Sequence, residues 1–262
     1  MKPVYIVSWL FALAISFVSC DDWLDKTPKD RLYPDVYFKT EDELRLFTNQ
    51  FYNNLVPSAV DIYSESSDLI VKSDLMLEMS GQRIIPDEGN GWNFTALRDI
   101  NFYLQYSHNC TEVNARNRYD GVARFFRAYF YFEKVKRYGD IPWYDKALDS
   151  DDPELYKARD SREFVMQKML EDLDFAIANL PKTKNAYVLT RWTALALKSR
   201  VCLFEGTFRK YHGLEDCEKY LNACVSASET FMNESGYTLY KSGSTPYRDL
   251  FLSLIHISEP TR

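Results

Sequence analysis

The sequence predicts an all-α fold built from helix pairs of the tetratricopeptide kind. Three observations carry that prediction. Apolar residues recur at helical spacing in several long stretches, those stretches are bounded by capping residues and Gly or Pro stops, and no alternating strand series occurs. The chain has 262 residues, long enough to bury a sizeable core.

The first helix begins at Thr40 in "TEDELRLFTNQFYNNL", where Glu43 three residues on completes a capping box. Leu44, Phe47, Phe51 and Leu55 follow on one side. Positions 56–91 are less regular: "SSDLIVKSDLMLEMSG" suggests a short helix, and "PDEGNG" has loop composition. A helix is expected from Trp92 to about Asn109, with Leu97, Ile100 and Leu104 together. The stretch "RYDGVARFFRAYFYFEKVKRYGDIP" predicts a helix over 118–138 buried on most sides, with Val122, Phe125, Phe126, Tyr129, Phe130, Phe132 and Val135 leaving little of it polar. Gly139 suits the left-handed position after its last turn, and Pro142 stops continuation. Three more helices follow. One covers 161–180, with Phe164, Leu170, Leu173 and Ile177 inward; one covers 190–211 behind Thr190; one covers 215–234, ending near Gly236. Ala128, Ala176, Ala194, Ala196, Ala223 and Ala227 would allow close helix approach. A strict 34-residue period is absent, so the pairs are degenerate repeats.

Composition narrows the function. Acidic and basic residues are interspersed at a net charge of −6, so no basic stripe exists to neutralise phosphates. No Walker, G-x-S-x-G or H-E-x-x-H pattern is present, and the histidines are too scattered for a metal site. No catalytic residue, metal or cofactor is therefore assigned. Aromatic residues reach 16 %, enough that some rings should be exposed for stacking on sugars or proteins.

Residues 1–19 read as a signal peptide. The apolar run Val4–Val18 is too short for a comfortable membrane span, and Phe17 is too large for an ordinary signal-peptidase site. Phe17-Val18-Ser19-Cys20 has the shape of a lipoprotein signal, which makes Cys20 the expected lipid attachment point and accounts for an odd count of five cysteines. Cys202 and Cys224 read as small buried residues. Cys217 and Cys224, seven apart on one helix, are too distant to pair with each other. Residues 20–39 read as a tether and 40–251 as the helical domain. The end, "LSLIHISEPTR" (252–262), matches the translation of a transposon adapter used in sequencing libraries. On that reading native sequence stops near Phe251, within a longer gene, and His256 carries no functional weight.

Four stretches, in order, resemble the SusD/RagB-like nutrient-binding lipoproteins. These are "SCDDWLDKTPKDRL", "ALRDINFYL", "ARFFRAYFYFEKVKRYGDIP", and the pair "REFVMQKMLEDLDFAIANLP" and "RWTALALKSRVCLFEGTF". The resemblance implies an outer-membrane, surface-facing lipoprotein that binds oligosaccharide and sits on a SusC-like TonB-dependent transporter without performing chemistry. A lipid-anchored repeat scaffold or peptide-binding lid is the alternative, and a surface glycoside hydrolase lacks a defensible pair of carboxylates.

For sugar capture, "DEGNGWNF" places Trp92 beside Asn90 and Asn93, with Asp87 and Glu88 as acceptors. Trp92 is either a stacking platform or the anchor of the helix that follows it. Trp143 and Tyr144 form a second candidate pair, whose bland alternative is packing of the acidic insertion "DKALDSDDPELYKARDS". Tyr63 is a third candidate.

Overall fold

The computed structural model describes residues 36–57, 77–84, 89, 91–241 and 243–248. Among them seven α-helices follow one another: α1 (Glu41–Leu55), α2 (Leu77–Ser80), α3 (Thr95–Tyr106), α4 (Val113–Tyr138), α5 (Arg162–Asn179), α6 (Arg191–Tyr211) and α7 (Cys217–Glu234). Short 3-10 turns occupy Ser107–Asn109 and Pro153–Tyr156, and no strand occurs among the described residues. None of the described helices is long and apolar enough to cross a membrane. Cys20, Tyr63, Asp87, Glu88, Asn90 and the 252–262 tail lie outside the described residues.

The start of α1 follows the capping box. The Thr40 hydroxyl accepts the Glu43 N–H, and the Glu43 carboxylate accepts the Thr40 N–H at 3.1 Å and the Lys39 N–H at 2.7 Å. Leu44 and Phe51 are buried, while Phe47 and Leu55 are half-buried against the same core. The core begins before this helix. Phe38 is fully buried with its backbone in the left-handed region (φ 65°), and its ring lies edge-on to Phe47 and Tyr103. A phenylalanine accepts that strain, about 1–2 kcal/mol, because burying its ring returns more.

Two predicted helix starts moved. α3 begins at Thr95 rather than Trp92, because the Asn93 side-chain oxygen takes the Thr95 N–H at 2.8 Å and Gly89 to Trp92 closes as a turn. α4 begins at Val113, five residues ahead of 118, and runs for 26 residues. It is enclosed by α1, α3 and α5, which explains its aromatic load. Gly139 ends it with the expected positive φ of 71°, but its ψ of −109° lies outside the left-handed helical conformation.

From α4 onward each helix packs antiparallel on the next: α4 on α5, α5 on α6, α6 on α7. This is a tetratricopeptide-like array. A second small core of Trp192, Leu195 and Ala227 forms where the last three helices meet. The inward stripe of α5 follows expectation at Leu173, with Leu170 and Ile177 half-buried against the core, and departs from it at Phe164. Phe164 is exposed, and Val165, Met166, Met169, Leu173 and Ala176 face the core. The rotation is set by Asp172, which must face Arg127 of α4. Ala196 is likewise exposed, whereas Ala128, Ala176, Ala194 and Ala227 are buried. Glycines also stand at close helix contacts. Gly121 of α4 faces Leu180 and the Ala176 backbone, and Gly206 of α6 faces Leu221 of α7. The four described cysteines are free thiols, and burial pushes the Cys202 thiol up to about 12.

A methyl group on Gly206 would lie 2.7 Å from the Leu221 side chain and 3.1 Å from its backbone nitrogen. Gly206→Ala is therefore expected to destabilise the protein by about 1–3 kcal/mol. Gly121→Ala meets nothing closer than 3.4 Å. It should be neutral, or stabilising by up to about 1 kcal/mol through helix propensity. Thermal denaturation of the two variants checks this; equal melting points would refute it.

Candidate ligand-binding site

The site rests on a buried clamp. Arg127 of α4 binds Asp172 of α5 through two parallel contacts, Nε to Oδ2 at 2.6 Å and Nη2 to Oδ1 at 2.7 Å. Its third nitrogen donates to Asn101 Oδ1 of α3 at 3.3 Å, and the Asn101 amide donates to the Tyr144 carbonyl at 2.8 Å. One turn along α4, the Tyr131 hydroxyl accepts the Tyr144 N–H at 2.7 Å. Burial pushes this phenol well above its ordinary value, so it stays neutral. Four side chains from three helices thus fix the chain that leaves α4. The acidic insertion folds back onto the same segment. Asp160 accepts the Trp143 N–H at 2.7 Å, and Lys157 donates to the Trp143 carbonyl at 2.7 Å.

Two clefts flank the start of α3. The first, about 340 Å³, is lined by Trp92, Phe94, Arg98, Tyr144, Lys146 and Leu155, among others. Its cations are already engaged: Lys146 pairs with Glu154 at 2.8 Å, and Arg98 donates to the carbonyl of Leu148, another lining residue, at 3.1 Å. The second, about 570 Å³, has Asn54, Asn93, Asp99, Tyr129, Glu133 and Lys134 among its lining. There burial raises the Asp99 carboxyl and lowers the Lys134 ammonium from their ordinary values. Thr95 borders both clefts.

Trp92 is 40 % exposed, with its ring edge-on to Phe94 and Tyr138 and the Arg159 guanidinium 4.9 Å from its centre. It is anchored and accessible at once. Lys134 donates to the Gly91 carbonyl and so ties this loop to α4. Asn93, adjacent in sequence, lines the other cleft, with its oxygen engaged by Thr95 N–H. Trp143 lines neither cleft. It is 6 % exposed, stacked on Tyr131 at 4.2 Å with Arg127 over its ring, so it packs the insertion onto the helices. Tyr144 is also buried, with one side forming part of the first cleft beside Trp92.

Asp99, Glu133, Asn54 and Arg159 were missed by sequence reasoning. They come from three helices and a loop, and no local spacing links them. Among the described residues no group of three or more His, Cys, Asp or Glu side chains is arranged to hold a metal.

A profile of the SusD-like family, described as "starch-binding associating with outer membrane", matches residues 58–191, just over half of the chain. The chain belongs to the SusD-like family. SusD-like protein P38 of Formosa agariphila is 25 % identical over 226 residues, 78 % of this chain and 43 % of P38. SusD-like protein P2 of the same organism is 27 % identical over 218 residues, 76 % of this chain and 43 % of P2. The chain therefore spans less than half the length of these relatives. In fold it is similar to a SusD homologue from Bacteroides thetaiotaomicron, with a TM-score of 0.61 at 18 % identity over 79 % of this chain and 43 % of that one. A SusD-like protein from Bacteroides fragilis gives 0.57 at 23 % identity, over 82 % and 42 % of the two chains. These likenesses bear on the fold.

In this SusD-like chain the clamp makes a sharp prediction. Asp172→Asn leaves a buried guanidinium without its counter-charge and should cost about 3–5 kcal/mol. The double change Arg127→Met with Asp172→Leu removes both fully buried charges and leaves only the partly exposed Arg124, 3.7 Å from Asp172, without its carboxylate, so it should cost markedly less. Urea denaturation of the full chain compares them; a double variant no more stable than the single one would refute this account.

Proposed function

We propose that this SusD-like chain captures oligosaccharide at the cell surface and passes it, unchanged, to a SusC-like TonB-dependent transporter. The observation that carries the proposal is Trp92, a ring fixed by Phe94 and Tyr138 yet still 40 % exposed at the first cleft, in a chain of this family. Aromatic side chains that are rigid and partly exposed offer apolar area at low entropic cost, which suits the C–H face of a pyranose. Asn93 supports the reading from the neighbouring cleft: its oxygen is held by the Thr95 N–H, which fixes the amide and leaves its nitrogen as a donor. Asp99 and Glu133 supply acceptors for hydroxyl groups on the same side. Tyr144 contributes the wall of the first cleft. Asn90 and Tyr63 stay candidates on sequence grounds, and Trp143 acts as a support for Tyr144. Binding is non-covalent, with no residue assigned to bond cleavage. Cys20 would carry the lipids that hold the protein at the outer membrane.

Calorimetric titration against a panel of oligosaccharides, with chromatography of the recovered sugar, tests this reading. Saturable binding without hydrolysis is expected, and Trp92→Ala should weaken it about tenfold, or about 1.4 kcal/mol. Unchanged affinity in that variant would remove Trp92 from the site, and released product would overturn the transport role. Separately, Cys20→Ser expressed with its leader should move the protein from the membrane fraction to the soluble one. Continued membrane retention would refute lipidation at that residue.

A further inference from the structure

A different part of the molecule has the chemistry of a second binding site. A cleft of about 570 Å³ opens where the first turns of α4 meet the end of α5 and the loop leading to α6. Asn117 and Tyr138 are 21 residues apart on α4. That places this cleft about 31 Å from the Trp92 region, measured along the helix axis.

Four of the side chains lining it are asparagines. Asn114 and Asn117 lie one turn apart on α4, Asn179 ends α5, and Asn185 belongs to the loop; Thr183 adds a hydroxyl. Their hydrogen-bonding capacity is partly open. Asn179 uses its amide nitrogen on the Phe175 carbonyl at 2.9 Å, which leaves its oxygen as an acceptor. Asn185 uses its oxygen on the Tyr187 N–H at 2.7 Å, which leaves its nitrogen as a donor. That same bond holds the backbone at Tyr187, which is 90 % exposed and lies outside the lining, on the loop between Asn185 and Val188. Among the described residues of the lining Arg118 alone is charged, and Glu41 of α1 balances it at 3.4 Å.

We propose that this cleft is a second carbohydrate-binding site, taking a neutral pyranose chain. The argument is one of matching chemistry. A primary amide presents a donor and an acceptor side by side, the arrangement that two adjacent sugar hydroxyls complement. A lining of amides with a balanced charge neither requires nor rewards an ionised ligand. Tyr187, on the same loop beside the lining, would supply a flat apolar face for a pyranose ring that extends past Asn185. An extended peptide could also pair with amides, but it would need pockets for alternate side chains as well. The site is independent of the Trp92 reading and stands or falls separately.

The test uses the full chain labelled with ¹⁵N-asparagine and follows the side-chain amide signals of Asn114 and Asn117, assigned from their single alanine variants. The probes are maltoheptaose, cellohexaose and laminarihexaose, with a trigalacturonate and a pentaalanine peptide as contrasts. At least one neutral oligosaccharide should shift both signals saturably. The shifts should persist in Trp92→Ala and weaken about two- to tenfold in Tyr187→Ala, the size of one ring's stacking contribution. Tyr187 is almost wholly exposed, so that variant keeps the fold. Absence of shifts with all three neutral probes would overturn the proposal. So would equal or larger shifts with the trigalacturonate or the peptide, or loss of the shifts in Trp92→Ala. Overall affinity unchanged by Trp92→Ala, with the Asn114 and Asn117 signals still moving, would sink the first site and leave this one.

Discussion

The bidentate pair between Arg127 and Asp172 is the constraint on which the rest of the structure depends. Both groups are buried in a helical interface, where an ionised side chain is tolerated only when its hydrogen-bonding capacity is filled. Filling it dictates the geometry around it. Asp172 fixes the rotation of α5 on α4, which is why Phe164 turns outward and Met169 inward. Asn101, engaged by the third guanidinium nitrogen, positions α3 and passes the constraint to the Tyr144 backbone. The loop that forms one wall of the Trp92 cleft is therefore held by a chain of polar contacts beginning between two helices.

A second clamp repeats this logic further along the array. Glu205 of α6, fully buried, receives Arg162 from the start of α5 and Arg209 from its own helix at 2.8 Å each. Arg209 also pairs with Glu163, whose other oxygen accepts the Tyr220 hydroxyl of α7 at 3.2 Å. Three successive helices are registered by one carboxylate cluster. Burial there pushes the Tyr220 phenol upward, so it stays protonated and keeps donating. Gly206 lies one residue beyond Glu205, and the absence of a side chain lets α7 close down at the same level. Polar registration and close approach thus occur together, and apolar packing between them supplies the area buried.

The helices were legible because their signals are local. Thr40 with Glu43, and Gly139 after a long aromatic run, depend on residues within a turn of one another. Starts that depended on less regular local bonds were misplaced, as at Trp92, where an Asn93 side chain delays the helix. The candidate site was legible only in part. An aromatic beside amides pointed to Trp92 and Asn93, and the structure exposes both, yet it directs them into separate clefts. Trp143 looked similar in sequence, but its partner, Tyr131, is twelve residues away on the other side of a turn.

The sequence by itself determined the helical class, the capped boundaries, the aromatic core of α4 and the likeness to a family of glycan-associated proteins. Each is written in short-range spacing, which a chain carries before it folds. Only the tertiary structure decided which aromatic rings stay accessible, which asparagines meet at the ends of α4 and α5, and which of two adjacent residues faces which cleft. Those outcomes depend on contacts between residues tens of positions apart, such as Arg127 with Asp172. Their energy exists only once the helices have docked.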